Sequence, residues 1–382
     1  MEVVNLYDLP VLEKQNQEDA YIASLDPLSA DASMRLLPQL NQTKDTVALV
    51  LMLVDILPYM SAARNYSIHQ ANAAMRDIGM LLGSLKRHHI EPVNVIPDLE
   101  DKLNFLASVT GLPPRDTLLH YTVWNPQEAR VRSYTGSQDE IHLIQSVQIS
   151  MNPLVAAIYQ LQHLYHTPVN SHEFITIAEK ALENFSQMVT GIVHAKRNVS
   201  PAVFAQELRF YFDPIVLNDR EYLGPGAVEM PVFVFDHILW GSDCKDEEYL
   251  KFKTTYLPYI LSPIQDIYRI FEGRESIVTK VVKALKASPG SENEILSAKA
   301  ILQLFTMIKS FRMPHRKLAQ KAYEHSIPAE QKDSHTDTIN KTEERSKGSG
   351  GYSPQILDFI LELTLQNSRK VEEALHASKL FQ

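Results

Sequence analysis

The chain has 382 residues, 45% of them hydrophobic, and a formal net charge of −9 at pH 7. It can therefore bury a large core, and its acidic balance argues against nucleic acid or an anionic membrane surface as a partner. The single cysteine, Cys244, excludes a disulfide framework and a thiolate zinc site and fits a reducing cytoplasm. Because the N-terminus carries acids early and lacks a basic start, we expect no signal peptide and a cytoplasmic protein.

Helical periodicity dominates the N-terminal part of the chain. The apolar stretch 46–60 contains Asp55 and is too short to span about 30 Å of hydrocarbon, so it predicts a fully buried helix. A second helix is predicted over 67–89, where Ser67 suits the N-cap position, and a third over 99–109.

Residues typical of strands surround turn signals in one segment, 118–137, which predicts a small hairpin. We expect the seam of the protein there. The chain then divides into a smaller N-terminal helical domain, 1–130, and a large C-terminal helical domain, 131–382. The expected fold class is all-α.

Helices follow one another through the C-terminal part. They are predicted over 138–165, 171–196, 201–212, 226–241, 246–272, 275–287, 293–324 and 353–379. Between the last two lies the polar segment 325–351, which has no Phe, Tyr or Trp. Because such a composition cannot bury itself, we expect a mobile loop there, and long loops inside domains often act as lids.

The common catalytic and metal-binding signatures are missing from the sequence, which has no HExxH, no GxxxxGK and no GxSxG. His163 and His166 lie three residues apart on a predicted helix, but no nearby carboxylate completes a metal set. Two partly exposed helix histidines explain this pair better.

The last long helix before the polar loop has a proline followed by a histidine at a core position. Apolar residues recur at helical spacing from Ile301 to Phe311, and His315 takes the next position of that face. We expect Pro314 to interrupt the helix, at a cost of about 3 kcal/mol, and to turn the ring towards a cavity. A core histidine is usually hydrogen-bonded, and this reading stays open. As a ligand, one imidazole cannot hold zinc alone but can bind haem iron, to which the porphyrin supplies four ligands.

A short helix that begins at Ser200 and Pro201 has a second candidate group. Ala205 and Arg209 lie one turn apart on its predicted face, with Phe204 beside them. Arg209 could clamp a carboxylate against an aromatic wall, or it could form a structural ion pair at the surface.

Two glycine-containing segments complete the candidates. Gly224, Gly226 and Ala227 would let the backbone approach a flat ligand, although a turn before a buried helix explains the same residues. The segment 348–352 places Ser349 either in a flexible hinge that orders over a ligand or in a simple turn before the last helix.

Taken in order, long runs of the sequence resemble the haem-containing indoleamine/tryptophan 2,3-dioxygenase superfamily, and within it the monodechloroaminopyrrolnitrin synthase family of pyrrolnitrin biosynthesis. The resemblance covers most of the chain, and no short motif carries it alone. The matching runs are AAMRDIGMLLGSLKRH (73–88), LPPRDTLLHYTVWNP (112–126), RSYTG (132–136), YLGPGAVEMPVFVFDHILWGS (222–242), FKTTYLPY (252–259), RMPHRKLAQKAYE (312–324) and GSGGYSP (348–354).

The resemblance implies an indoleamine 2,3-dioxygenase-like helical fold and a haem b cofactor with His315 as the proximal iron ligand. Phe204 and Arg209 match dioxygenase positions that contact the indole and the amino-acid carboxylate. Gly226 and Ala227 match the segment beside the distal face of the haem. All four positions are therefore implied to bind the substrate.

Three further positions follow from the same resemblance. Ala205 departs from the dioxygenases, which have a second aromatic residue there, so its small side chain implies a more open substrate pocket. Tyr323 matches a tyrosine of the pyrrolnitrin enzyme, and Ser349 matches the hydroxyl residue of the dioxygenases' Gly-Thr-Gly-Gly motif. We take Tyr323 and Ser349 as catalytic candidates and Ser349 also as a substrate contact. The loop 325–347 is nearer in length to the dioxygenase lid than to the loop of the pyrrolnitrin enzyme.

The implied activity is an oxidative rearrangement of L-tryptophan or 7-chloro-L-tryptophan to an aminophenylpyrrole, with loss of the carboxyl group. Dioxygen or peroxide would be the co-substrate, and an electron donor would be a partner. Three alternatives remain open: 2,3-dioxygenase-type cleavage of the indole, a non-catalytic haem- or indole-binding protein, and a helical scaffold with a core histidine. The oligomeric state is not fixed by the sequence.

Overall fold

In the computed structural model, which describes residues 10–61, 65–326 and 354–380, α-helices form almost all of the regular structure. The predicted all-α fold class is confirmed. The helices of the N-terminal part are α1 (Pro10–Ser24), α2 (Asp31–Met34), α3 (Leu37–Thr43), α4 (Thr46–Ser61), α5 (Ile68–Arg87), α6 (Pro92–Val95), α7 (Leu99–Thr110) and α8 (Leu118–Tyr121).

The C-terminal part contains the longest helices and one small sheet. Its helices are α9 (Gln138–His166), α10 (His172–Asn198), α11 (Pro201–Gln206), α12 (Val232–Asp236), α13 (Glu247–Tyr256), α14 (Ser262–Phe271), α15 (Ile277–Ala287), α16 (Glu292–Ser326) and α17 (Pro354–Lys379). By length and composition alone α9 could cross a membrane, but 50% of its most apolar window is buried inside the fold, as in the core helix of a globular protein.

Serine side chains begin five of these helices. Each accepts a hydrogen bond from the backbone N–H three residues later, which satisfies one of the donors left free at a helix start. The five N-cap residues are Ser67, Ser137, Ser171, Ser200 and Ser276. Because a serine before an apolar periodic run is visible in the sequence, the predicted starts of these helices agree closely with the structure.

The helix α4 is only half buried, so the prediction of a fully buried helix is wrong. Leu49 and Leu53 lie in the core, whereas Val47 and Leu51 on the outer face are 69% and 55% exposed. The helix packs against α3 and α5. Its sequence is apolar on every side, so its pattern does not reveal which side has neighbours.

The sheet consists of β1 (Ile215–Leu217) and β2 (Arg220–Tyr222), which pair in antiparallel fashion. Asn218 and Asp219 form the turn with φ values of 47° and 58°. Asparagine and aspartate tolerate this left-handed conformation better than most residues, and a pair of them is typical of a two-residue hairpin turn. Sequence reasoning missed this signal.

The hairpin predicted over 118–137 is wrong. In the structure this segment contains α8 and a turn of 3₁₀ helix, Glu128–Arg130. The aromatic residues that suggested strands, Tyr121, Trp124 and Tyr134, are buried in the interior. Packed cores and strands are rich in the same aromatic residues, so composition alone did not distinguish them.

Three helices predicted as continuous are divided into shorter pieces. The segment 201–212 forms α11 and a 3₁₀ turn, 226–241 forms a 3₁₀ turn, α12 and a π-helical turn, and 246–272 forms α13, a 3₁₀ turn and α14. Pro231 precedes α12 and Pro263 lies in the first turn of α14. Proline has no backbone N–H, so it suits the start of a new helix and cannot continue the preceding one.

Two clusters of buried apolar side chains form the interior. The N-terminal core includes Leu81 and Leu103 and also takes in Leu217 of the hairpin. The C-terminal core surrounds α9, α10 and α16 and includes Phe185 and Phe305. The division of the chain at residue 130 stays a prediction, and most of the predicted loop 325–351 lies outside the described residues, since α16 includes residues 325 and 326.

The buried carboxylate of Asp77 holds the N-terminal part together. Its Oδ1 accepts hydrogen bonds from Nε of Arg76 and Nε of Arg132, each at 2.9 Å. The Arg76 guanidinium also donates to the carbonyls of Leu25, at 2.9 Å, and Trp124, at 3.2 Å. Burial alone would raise the pKa of Asp77, but the two guanidinium groups outweigh burial and lower this pKa.

A second buried carboxylate, Glu140, fixes the segment that leads into α9. It accepts hydrogen bonds from the hydroxyls of Tyr121 and Ser133 at 3.1 and 2.8 Å. The backbone N–H groups of Tyr134 and Thr135 donate to it at 2.7 and 2.8 Å. Glu140 lies in the first turn of the helix, where a negative charge also suits the helix dipole.

Asp77→Ala removes the shared carboxylate, so that the buried guanidinium of Arg76 loses its ion-pair partner and that of Arg132 retains its contact with Asp31 at the edge of the site. We expect the free energy of unfolding, measured with denaturant, to fall by about 3–5 kcal/mol. Because the pKa of Asp77 is lowered in the folded state, this stabilisation should be present above the ordinary aspartate pKa and be lost as pH falls through the folded value. Asp266→Ala is the control, since it removes an exposed ion pair with Arg269 and should cost at most about 1 kcal/mol. Equal losses in both variants would contradict a central role for Asp77.

Candidate active site

A cavity of about 310 Å³ lies where the two cores meet. This volume is at the lower end of the roughly 300–1,000 Å³ typical of small-molecule sites. Its wall is mostly apolar. The wall is formed by α8, α9, α10, α11 with the 3₁₀ turn that follows it, the segment 225–236, α13, α16 and α17.

The helix α16 forms one side of the cavity and runs without interruption to Ser326, so the break predicted at Pro314 is wrong. The helix packs against α10, α11 and α17, and this packing holds it together where proline removes a hydrogen bond. His315 reaches the cavity because it follows Phe311 by one turn on the same face. The two rings stack, with centroids 5.5 Å apart and planes inclined by 13°.

The imidazole of His315 has no hydrogen bond to any of the residues that the structure describes. Its side chain is half buried because one side faces the cavity. Burial lowers the pKa of His315 to about 4, and the nearby charge of Arg312 lowers it further. The ring is therefore neutral at pH 7 and has a nitrogen lone pair available.

Beside His315, the cavity wall contains a charge-balanced pair that sequence reasoning missed. Arg312 forms a buried ion pair with Asp236 and a hydrogen bond with Thr364. Asp236 also accepts a hydrogen bond from Nε1 of Trp240 at 3.2 Å. The arginine on the core face of α16 was a visible signal, but its partner is 76 residues away in sequence.

The side chains of Phe204, Ala205 and Arg209 line the cavity from a second side. The helical turn predicted between them is broken at Glu207, where φ is −127° and ψ is −65°, and Arg209 lies in the following 3₁₀ turn. The guanidinium carbon of Arg209 is 5.8 Å from the ring centroid of Phe210. Ala205 is buried, and its side chain contributes only a methyl group to the cavity wall.

Gly226 and Ala227 line a third side of the cavity. The backbone of Gly226 is extended, with φ of −152° and ψ of 149°, so its conformation does not require glycine. Gly224 is required by close packing instead. A Cβ atom there would lie 2.5 Å from the carbonyl oxygen of Phe212 and 2.6 Å from Nη2 of Arg115.

The helices α9 and α10 meet closely at Gly191, which also lines the cavity. A Cβ atom at Gly191 would lie 1.9 Å from Oγ of Ser150 and 2.5 Å from the carbonyl oxygen of Ser146. The Ser150 hydroxyl donates to that carbonyl at 2.8 Å. Sequence reasoning did not single out this contact, because a glycine inside a helical pattern says little about what it packs against.

The structure thus brings together seven of the eight residues predicted for the site. They are Phe204, Ala205, Arg209, Gly226, Ala227, His315 and Tyr323. The eighth, Ser349, lies outside the described residues, and the individual roles of all eight stay predictions. His163 is 3.8 Å from Glu173, and no group of three metal-ligating side chains occurs in the described part of the chain.

A helical fold that encloses an apolar cavity, with a histidine and an arginine on its wall, is suited to binding a small, largely apolar molecule. The family model described as monodechloroaminopyrrolnitrin synthase PrnB matches residues 20–377, and the chain belongs to this family. The enzyme of this family rearranges the indole of 7-chlorotryptophan. The chain is therefore an oxidative tryptophan-modifying enzyme of pyrrolnitrin biosynthesis.

Gly191→Ala should disturb the cavity wall from inside. The added methyl group overlaps Ser150 and Ser146, and we expect the free energy of unfolding to fall by about 1–3 kcal/mol. This strain outweighs the gain of up to about 1 kcal/mol that alanine brings to a helix. Adding Ser150→Ala should recover part of the loss, since it removes the hydroxyl that lies nearest. If Gly191→Ala alone were more stable than the wild type, the close packing of α9 against α10 at this position would be contradicted.

Proposed function

We propose that the cavity holds haem b together with L-tryptophan or 7-chloro-L-tryptophan, and that His315 is the proximal ligand of the haem iron. The observation that carries this proposal is the neutral imidazole of His315, which faces the cavity without a hydrogen bond from the described residues. Because a buried polar group usually has a partner, a ring left without one invites a ligand.

The donor set supports haem rather than a metal ion bound by the protein alone. Among the described residues, no group of three His, Cys, Asp or Glu side chains could hold a metal. A porphyrin brings four nitrogen ligands, so a single imidazole is sufficient to complete the site. The apolar wall suits a large, flat, mostly apolar cofactor.

When bound, haem supplies the oxidative chemistry, with dioxygen or peroxide as the co-substrate. The protein positions the reactants and excludes water. We assign Phe204 to the indole ring and Arg209 to the amino-acid carboxylate, since the arginine can form two charge-assisted hydrogen bonds with it. Ala205 leaves room beside the indole, and Gly226 would let the substrate approach the backbone.

Tyr323 is the candidate for handling a proton during the rearrangement. Its half-buried side chain lines the cavity from α16, two turns beyond His315. Its phenol can donate or accept a hydrogen bond at the reacting substrate. Ser349 is assigned the second such role from the sequence, because the resemblance places it in a segment that contacts the substrate. An electron donor and a cytoplasmic location belong to the same proposal.

His315→Ala should abolish stable haem binding, because it removes the nitrogen assigned to the iron. The measurement is the Soret absorbance per mole of protein after purification with added haem. His376→Ala, which removes an exposed histidine of α17, is the control and should keep full haem content. Full retention of haem in the His315 variant would refute the ligand assignment, provided that circular dichroism shows both variants to be folded.

Arg209→Ala should weaken the binding of L-tryptophan by about 10- to 100-fold, the size expected for a lost charge-assisted pair. Tryptamine, which lacks the carboxylate, should bind the wild type and the variant about equally. Calorimetric or spectroscopic titration measures both affinities, and haem content should not change. An equal loss of affinity for the two ligands would assign Arg209 to packing instead of carboxylate binding.

A further inference from the structure

A buried carboxyl group, Glu229, lies directly behind the cavity wall and has no part in the proposed binding of haem or substrate. Its side chain is 3% exposed, and its Oε2 accepts a hydrogen bond from the backbone N–H of Leu118 at 2.6 Å. Glu229 ends the 3₁₀ turn that begins at Ala227, and its N–H donates to the carbonyl of Gly226 at 2.9 Å. Because Leu118, Gly226 and Ala227 all line the cavity, this one residue connects two of its walls.

Glu229 forms no ion pair with any cation among the described residues. Arg115, whose charge acts on Glu229, forms an ion pair with Asp116, with Nε 3.2 Å from Oδ1, and also donates to the carbonyl of Asp213. Its Nη2 has no hydrogen-bond partner among the described residues, but no ion pair joins it to Glu229. The second oxygen of Glu229, Oε1, has no hydrogen-bond partner among the described residues. A neutral acid is therefore easier to accommodate there than a buried unpaired charge.

The surroundings of Glu229 favour the same protonation state. It shares a small apolar pocket with Leu119, Met151, Ile260 and Ile264. Burial raises the pKa of Glu229 well above its ordinary value, and the carboxylate of Asp116 adds to this effect. The Leu118 N–H and the charge of Arg115 oppose it without cancelling it. The other titratable group that faces it is Tyr259, on the 3₁₀ turn after α13.

We propose that Glu229 is a positioning residue whose carboxyl group fastens the Gly226–Ala227 wall to the start of α8 and so sets the width of the substrate cavity. It does so as the neutral acid, with Oε2 accepting from Leu118 and the proton on Oε1. The proposal rests on the proposed function in one respect, namely that tryptophan lies between these two walls.

Two variants separate shape from charge. Glu229→Gln keeps the shape and a carbonyl oxygen for the Leu118 N–H but cannot ionise. Glu229→Leu has a similar size, but it leaves that N–H without an acceptor. The affinity for L-tryptophan should stay within about twofold of the wild type in Glu229→Gln and should fall by about tenfold or more in Glu229→Leu. Haem content should be the same in all three proteins.

Thermal unfolding of the haem-free proteins between pH 5 and pH 9 gives an independent readout. A carboxyl group with a raised folded pKa stabilises the fold below its unfolded pKa, and this stabilisation is lost as pH rises towards the folded value. The midpoint of the wild type should therefore fall relative to that of Glu229→Gln as pH increases. A constant difference between the two proteins across this range would overturn the neutral form.

Two binding results would contradict the positioning role of Glu229. Glu229→Leu binding tryptophan as tightly as the wild type would overturn it, and so would a Glu229→Gln variant as weak as Glu229→Leu. Failure of the proposed function looks different, because the wild type itself would then bind no haem or no tryptophan. The unfolding comparison would still decide the protonation state of Glu229 in that case.

Discussion

Two guanidinium groups closing on one buried carboxylate constrain where the cavity can form. Arg76 is the neighbour of Asp77 in sequence, whereas Arg132 follows it by 55 residues. Arg76 also donates hydrogen bonds to the carbonyls of Leu25 and Trp124. These bonds hold the irregular segment between α8 and α9, which contains Trp124 and Arg132, against α5. Glu140 then fixes the end of that stretch to the start of α9. The position of α9, and with it one wall of the cavity, follows from these buried charges.

The polar side chains at the cavity wall differ in whether they have partners within the protein. Arg312 and Asp236 neutralise each other on its wall and connect α12 to α16, so they contribute rigidity without a net charge. Glu229, which we propose to be protonated, connects the Gly226–Ala227 wall to the start of α8. His315 differs from both, because nothing in the described part of the chain bonds to its ring. The buried rings of His120 and His237 also have an Nε2 without a hydrogen bond among the described residues, but neither lines the cavity. The haem assignment therefore falls on His315, the histidine of the described residues that faces this space.

The sequence predicted elements whose signals are local and failed where distant packing decides. The serine caps and apolar periodicity gave the long helices, and the spacing of Phe311 and His315 gave the face that lines the cavity. The outer face of α4, the ion pair between Arg312 and Asp236, and the role of Gly191 depend on which elements become neighbours in space. The hairpin was misplaced because buried aromatic residues look like strand residues, while the turn at Asn218 was overlooked.

The most direct test of the haem assignment is the resonance Raman spectrum of the ferrous, haem-loaded protein. We expect an iron–histidine stretching band that shifts when the histidines are labelled with nitrogen-15. The band should be missing in His315→Gly and should return, without the isotope shift, when free imidazole is added to that variant. An iron–histidine band that persists in His315→Gly without imidazole would show that another histidine binds the iron and would refute His315 as the proximal ligand.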